Sequence, residues 1–321
     1  MTLTTKEIKA VKKAKSFLLF SGCLYGQDKN GVFFFVAPLS CDIAICGNIK
    51  LEKEKLSFYA FDSLHIEDKK AIMQNAIVDF VPCDSLLKES KELKTITLHN
   101  VKEIQACALF SSDDTNSASL QCVYLCNGYA VATDARRIIY TEADTGIQEN
   151  ENGVLFDKNL VPYATDGDKL TVCDDCQYLT DNNGNIKAFS SYPVAKFPSW
   201  KRALFDADAE HCDYCLNSMT FKAIKEKWIK GNTNTRVFFE GTSVYQRVDE
   251  FQNMIDDSAF SVALKQSYAF DVKYMFDLLE IAKREKENAI FFSHYTDDED
   301  SKRATQWKIG RYTAVIMPRL Y

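Results

Sequence analysis

Two cysteine pairs, Cys173-Asp-Asp-Cys176 and Cys212-Asp-Tyr-Cys215, have the spacing best suited to chemistry, because two CxxC steps can close a tetrahedral zinc site. Neither pair carries the glycine or proline of a zinc knuckle. The first pair also lies in a strand-like run, where positions three apart point to opposite faces. The expectation is therefore of ordinary thiols and no metal, with a zinc-bearing or metal-dependent nucleic-acid-binding protein as the alternative. Catalytic signals are sparser. The histidines His65, His99, His211 and His294 have no nucleophile motif around them, and no glycine-rich loop is spaced to cradle phosphate. The acid pairs Asp113-Asp114 and Asp297-Asp298 sit in turns and read as solvated. Neither an enzyme nor a cofactor is expected.

Lysine is the remaining chemistry. The formal net charge is −6, yet residues 5–18 carry Lys6, Lys9, Lys12, Lys13 and Lys15 against Glu7 alone. Residues 219–230 likewise carry Lys222, Lys225, Lys227 and Lys230 against Glu226. Two basic stretches on an acidic body suit a protein that repels nucleic acid generally and admits it at one surface. Solvated lysine faces are the alternative reading of the same residues. No window approaches twenty uninterrupted apolar residues, and lysines stand where a secretion signal needs its apolar region. A cytoplasmic location is expected, in which the eleven cysteines stay reduced.

Periodicity supplies the scaffold for these residues. Residues 5–18 place Ile8, Val11, Ala14 and Leu18 on one helical stripe, with Lys6, Lys9 and Lys13 opposite. Strand-like runs follow at 17–25, 32–36, 42–46 and 56–61, then a helix at 84–93 and a strand at 95–98. A second unit has a helix at 101–110, strands at 119–125 and 130–140 around the hairpin signal Asn127-Gly128, and strands at 168–173 and 186–190. Pro162 weakens any helix at 158–164. A third unit has a helix at 219–230, strands at 235–240, 243–248 and 259–264, a helix from 270 with Val272, Met275, Phe276 and Leu279 on its buried face, and strands at 289–294 and 305–317. Helix then strands, three times over in 321 residues, implies an α+β chain of similar modules in series, each packing helices on antiparallel sheet. The final stretch, Arg311 to Tyr321, is an apolar strand cut off by Met317-Pro318. It must pack on something.

Four motifs then fall in an order that resembles one family. They are Ala132-Thr133-Asp134-x-x-Arg137, Phe197-Pro198-x-Trp200, Phe270-x-Val272-x-Tyr274-x-x-Asp277-x-Leu279, and Val315-x-Met317-Pro318. Phe80-Val81-Pro82-x-x-x-Leu86-Leu87 and Leu120-Gln121-Cys122-Val123 add to them. Together they resemble the bacterial sliding clamp, the β subunit of DNA polymerase III, over residues 80–321 and much less over 1–79. The family has glycine and histidine where this chain has Ala135 and Arg136, so the turn after Asp134 lacks glycine's freedom at positive φ.

The resemblance implies a DNA-clamp fold of three modules, at 1–97 (divergent and shortened), 98–203 and 204–321. Two copies would close head to tail into a ring around duplex DNA, held without regard to sequence, as a non-catalytic processivity factor. Lys6, Lys9, Lys13, Lys222 and Lys225 would face the DNA. A pocket between the second and third modules would take short peptide motifs of a replicative polymerase and clamp loader. Its carried-over lining is Leu120, Thr133, Asp134, Ala135, Arg136, Arg137, Ile138, Pro198, Arg202, Ala203, Val315, Ile316, Met317 and Pro318. Aliphatic residues and a methionine make an adaptable floor, and rim arginines can bind peptide carbonyls or carboxylates. A clamp-derived protein that no longer forms a ring is the remaining alternative.

Overall fold

The structure is a computed structural model that describes residues 6, 9–10, 12–14, 16–20, 23–38, 49–52, 55–58, 91–148, 151–191, 195–204, 214–230, 235–248, 251–294 and 304–319. The expected helix at 84–93, the strand at 42–46 and the Phe80 to Leu87 motif lie outside these residues, the first except for its last three positions. The chain groups into two compact units, both discontinuous in sequence. The first takes residues 1–101 and 144–195, the second 102–143 and 196–321.

In the first unit an antiparallel sheet runs in the order Ser16–Phe20, Cys23–Gln27, Phe33–Pro38, Ile186–Ser191, Cys176–Thr180, Lys169–Cys173, Glu92–Thr97. Aromatic side chains fill its middle, where Phe33 stacks on Phe189 at 4.8 Å and Tyr25 meets the same ring edge-on at 5.7 Å. The helix expected over 5–18 stops early. Lys6, Lys9 and Ala10 are helical, Lys12 and Lys13 form a turn, and Ser16 already begins a strand. The run from Phe17 to Phe20 pairs in register with Gly26 back to Cys23, so sheet pairing overrides the helical spacing. Gly26 is needed here, since a Cβ at this position would lie 2.7 Å from that of Ala14. The strand Cys176–Thr180 was not expected. Asp174-Asp175 turns the chain between Cys173 and Cys176, so the first CxxC pair flanks a hairpin bend instead of lying along one strand.

In the second unit one sheet runs Cys122–Cys126, Tyr129–Thr133, Arg137–Glu142, Tyr312–Ile316, Thr305–Ile309, Ala289–His294, Tyr214–Asn217. The strand Tyr312–Ile316, last in the chain, thus lies inside the sheet with a partner on each side. A smaller sheet runs Phe251–Asp256, Ser243–Val248, Arg236–Glu240, Tyr268–Asp271. Residues 259–264 form no strand, contrary to expectation. Their place in the sheet is taken by Phe251–Asp256, whose polar-rich, exposed pattern fits an edge. Trp307 stacks on Phe292 at 4.6 Å and meets Phe270 and Phe239 edge-on, and all four rings are buried.

The helices that bear on the site are α1 (Val101–Cys107), α2 (Ser218–Lys227) and α3 (Val272–Glu285). The Asn217 side chain caps α2 by accepting from Thr220 N, and Asp271 caps α3 by accepting from Lys273 N. Lys286, left-handed at φ 58°, ends α3. The buried face of α3 is Val272, Met275, Leu278 and Ile281, with Phe276 and Leu279 only half-buried, so the true stripe is rotated from the expected one. Among the described residues no helix is long and apolar enough to cross a membrane.

Candidate functional site

The turn after Thr133 is held by side chains folding back on their own backbone. The Thr133 hydroxyl donates to Arg137 O at 2.7 Å and accepts from Ala135 N, while the Asp134 carboxylate accepts from the backbone N of Arg136 and Arg137 at 3.0 Å each. With both ends tied, Ala135 is forced to φ 73°, a conformation in which a Cβ is strained. The turn then hands the chain to Arg137–Glu142, and that strand pairs with Tyr312–Ile316 so that Ile138 lies opposite Val315 and Arg137 opposite Ile316. Met317 N donates to Arg136 O at 3.0 Å, and Arg319 N to Ala269 O at 2.7 Å. The expectation that Arg311 to Tyr321 packs as a strand therefore holds over Tyr312–Ile316.

The segment 196–204 lies against the same sheet through its aromatic residues. Phe197 stacks on Tyr124 at 4.7 Å, and Trp200 contacts Tyr140 at 5.5 Å and Tyr129 at 5.8 Å. Those two anchors leave Pro198, Ser199 and Arg202 exposed.

Between turn, segment and terminal strand is a cavity of about 580 Å³ within the second unit. Of the residues carried over by resemblance, Leu120, Thr133, Ala135, Arg136, Arg137, Ile138, Pro198, Arg202, Val315 and Met317 line it. Asp134 holds the turn from behind, Ile316 is fully buried on the opposite strand face, and Pro318 is not in the lining, while the side chain of Ala203 lies outside what the structure describes. Ser199, Trp200 and Ala304 line the cavity without having been singled out for it. Trp200 stood in a quoted motif, so only its role was missed. No local pattern marks Ala304.

Arg137 differs from what a rim arginine would be. It is 2% exposed, and its guanidinium donates to Asp134 Oδ2 at 2.9 Å, Asp277 Oδ2 at 2.7 Å and Leu109 O at 3.0 Å. It also lies 4.4 Å from the Phe110 ring centre and 4.3 Å from that of Tyr274. Arg137 thus joins the Thr133 turn to α3. Burial pushes the Asp277 carboxyl above its ordinary value, and Arg137 opposes this.

Solved structures identify the architecture. The DNA polymerase III β subunit of Thermotoga maritima is 17% identical to this chain, with 100% of this chain and 95% of that one covered at a TM-score of 0.59. Caulobacter crescentus pol III β is 13% identical, with 100% of both chains covered at 0.62. The Pseudomonas aeruginosa DNA polymerase sliding clamp, 13% identical, covers 99% and 97% at 0.59. The chain has the sliding-clamp fold. No family model matches it, and no curated protein matches it in sequence.

On this clamp fold the five lysines expected to face DNA are all exposed: Lys6 and Lys9 in a helix, Lys13 in the turn after it, Lys222 and Lys225 on α2, whose Phe221 and Ile224 are buried. Lys222 pairs loosely with Glu226 at 3.8 Å, and Lys227 spends its ammonium on Ile255 O. The thiols of Cys173 and Cys176 touch across their bend. Burial raises the Cys173 pKa, with the carboxylates of Glu92, Asp175 and Asp174 adding to it, so neither thiolate formation nor reactivity is favoured. Cys215 is exposed and Cys212 lies outside the described residues. Among the described residues no three His, Cys, Asp or Glu side chains group as a metal site.

Proposed function

We propose that the chain is a DNA sliding clamp: two copies, each of three modules at 1–97, 98–203 and 204–321, close head to tail around duplex DNA and tether replication proteins. Lys6, Lys9, Lys13, Lys222 and Lys225 attract phosphate without reading bases, which leaves the ring free to slide. The cavity takes a short peptide from a replicative polymerase or clamp loader. The protein performs no catalysis of its own and works in the cytoplasm.

The observation that carries this reading is the cavity itself. Residues picked out by resemblance, spread over Leu120 to Met317, line a single apolar hollow whose size suits a few side chains. Ordinary packing between elements would have closed such a space.

Calorimetry tests it. A short peptide combining a glutamine with a pair of large apolar residues should bind with a Kd on the order of micromolar, because little area is buried and the peptide must be ordered. Met317→Ala with Arg202→Ala should abolish binding. Both side chains are exposed, Met317 at 44%, so the melting temperature should hardly move. Unchanged affinity in the double variant would reject the cavity as the site.

A further inference from the structure

We infer that Asn127 is a site of spontaneous covalent modification, at which the Gly128 amide nitrogen displaces ammonia from the Asn127 side chain and leaves an aspartate or isoaspartate in its place. Asn-Gly is the step best suited to this attack, since glycine has no Cβ to obstruct it. The sequence has four such steps, Asn30-Gly31, Asn127-Gly128, Asn152-Gly153 and Asn183-Gly184. The fold separates them. Gly31 N donates to Asp28 O at 3.2 Å, with Asn30 N and Val32 N on Asp28 Oδ1 at 2.8 and 3.1 Å. Gly184 N donates to Asp181 O at 3.0 Å, and Asp181 Oδ1 accepts from Asn183 N and Asn185 N at 2.9 and 2.8 Å. Gly153 is half-buried at the entry to Val154–Asp157, and Asn152 O accepts from Lys94 Nζ at 3.4 Å, which steadies the peptide that would have to rotate.

Asn127 and Gly128 are both exposed, and among the described residues neither the Asn127 side chain nor the Gly128 N–H has a hydrogen-bond partner. The contact made there falls on Gly128 O, from Ala143 N at 2.9 Å, one peptide beyond the reacting one. Among the described residues no atom lies within 4 Å of where a Cβ would sit on Gly128, so water reaches the step freely. The Gly128 nitrogen gives its proton to hydroxide and bonds to Asn127 Cγ. The bond from Cγ to the side-chain nitrogen breaks, and ammonia leaves with a proton from water. Water then opens the cyclic imide at either carbonyl, so the balance is one water in and one ammonia out, with nothing oxidised or reduced. Opening to isoaspartate routes the main chain through the side-chain carbons and lengthens it. In a turn only two residues long, that disturbs the pairing of Cys126 with Tyr129 in the hairpin of Cys122–Cys126 and Tyr129–Thr133.

The test is to hold the folded full chain at mildly alkaline pH and physiological temperature, and to follow by peptide mass spectrometry the mass gain of amide-to-acid conversion at all four steps. Asn127 should convert at least about fivefold faster than the others, each of which must first give up a hydrogen bond. In urea the four should convert at similar rates, because the contacts that separate them are gone. Asn127→Gln moves the amide carbon a methylene further from the Gly128 nitrogen and should leave that peptide unchanged over the same period. A matching rate at any other Asn-Gly step of the folded chain overturns the inference, as does an Asn127 that keeps its amide when folded and loses it in urea. A mass gain persisting in the Asn127→Gln peptide places the reaction elsewhere and also overturns it. The folded and urea series on the unaltered chain decide the matter even if the variant folds poorly.

Discussion

Arg137 is the residue on which the cavity wall depends. Arg137→Met removes the partner of two carboxylates while keeping much of the side-chain volume, so the expected loss is about 3–5 kcal/mol of stability, read from chemical denaturation. The loss has a definite pH dependence. Without Arg137 only Lys273 opposes the burial that raises Asp277, so its folded pKa stands further above the unfolded one. Such a group stabilises the fold below the unfolded pKa and loses that contribution as pH rises through the folded value. The deficit of the variant should therefore shrink on acidification toward about pH 5 and widen toward about pH 8. An unvarying deficit would remove Asp277 from the explanation. Ala135 supports the opposite kind of change. At φ 73° it holds a conformation that glycine adopts without strain, so Ala135→Gly should add about 1 kcal/mol, less glycine's extra entropy in the unfolded chain. A melting temperature lowered by that change would show that the turn is not strained.

At the level of elements, α2 carries the electrostatic prediction. Its buried side is Thr220, Phe221 and Ile224, so Lys222→Gln with Lys225→Gln should leave the melt unchanged and weaken binding to duplex DNA uniformly across sequences, with a smaller salt slope. Unaltered DNA affinity would remove α2 from the interface. The elements also show what periodicity reveals and what it hides. The hairpin at Asn127-Gly128 was legible because Gly128 takes φ 68° in a turn that favours glycine, and α2 was legible as a helix at 219–230, although it begins at Ser218 and stops at Lys227. The hairpin at Asp174-Asp175 was not, because two aspartates carry no such preference and the flanking cysteines have the spacing of metal ligands. Phe251–Asp256 was passed over for 259–264, since an edge strand lacks the apolar alternation that marks a buried one. In the cavity, the lining residues close to a motif were legible, whereas the pairing of Arg137 with Asp277, 140 residues away, belongs to the tertiary fold alone.

For the whole molecule, ring closure needs a surface at which two copies meet. Among the described residues Phe251–Asp256 ends its sheet, with Phe251 78% and Met254 44% exposed along it. An open strand edge bearing large apolar side chains is suited to pairing with another chain. Phe251→Lys puts a charge on that edge without touching the core and should shift the protein toward monomers at low micromolar concentration. The mass of the unaltered chain in solution, by light scattering, is the sharpest check on the clamp reading. Closure of a ring from three-module chains predicts a species of twice 36.5 kDa at micromolar concentration, independent of added DNA. A single species of 36.5 kDa under those conditions would contradict the reading and leave a clamp fold that does not encircle DNA.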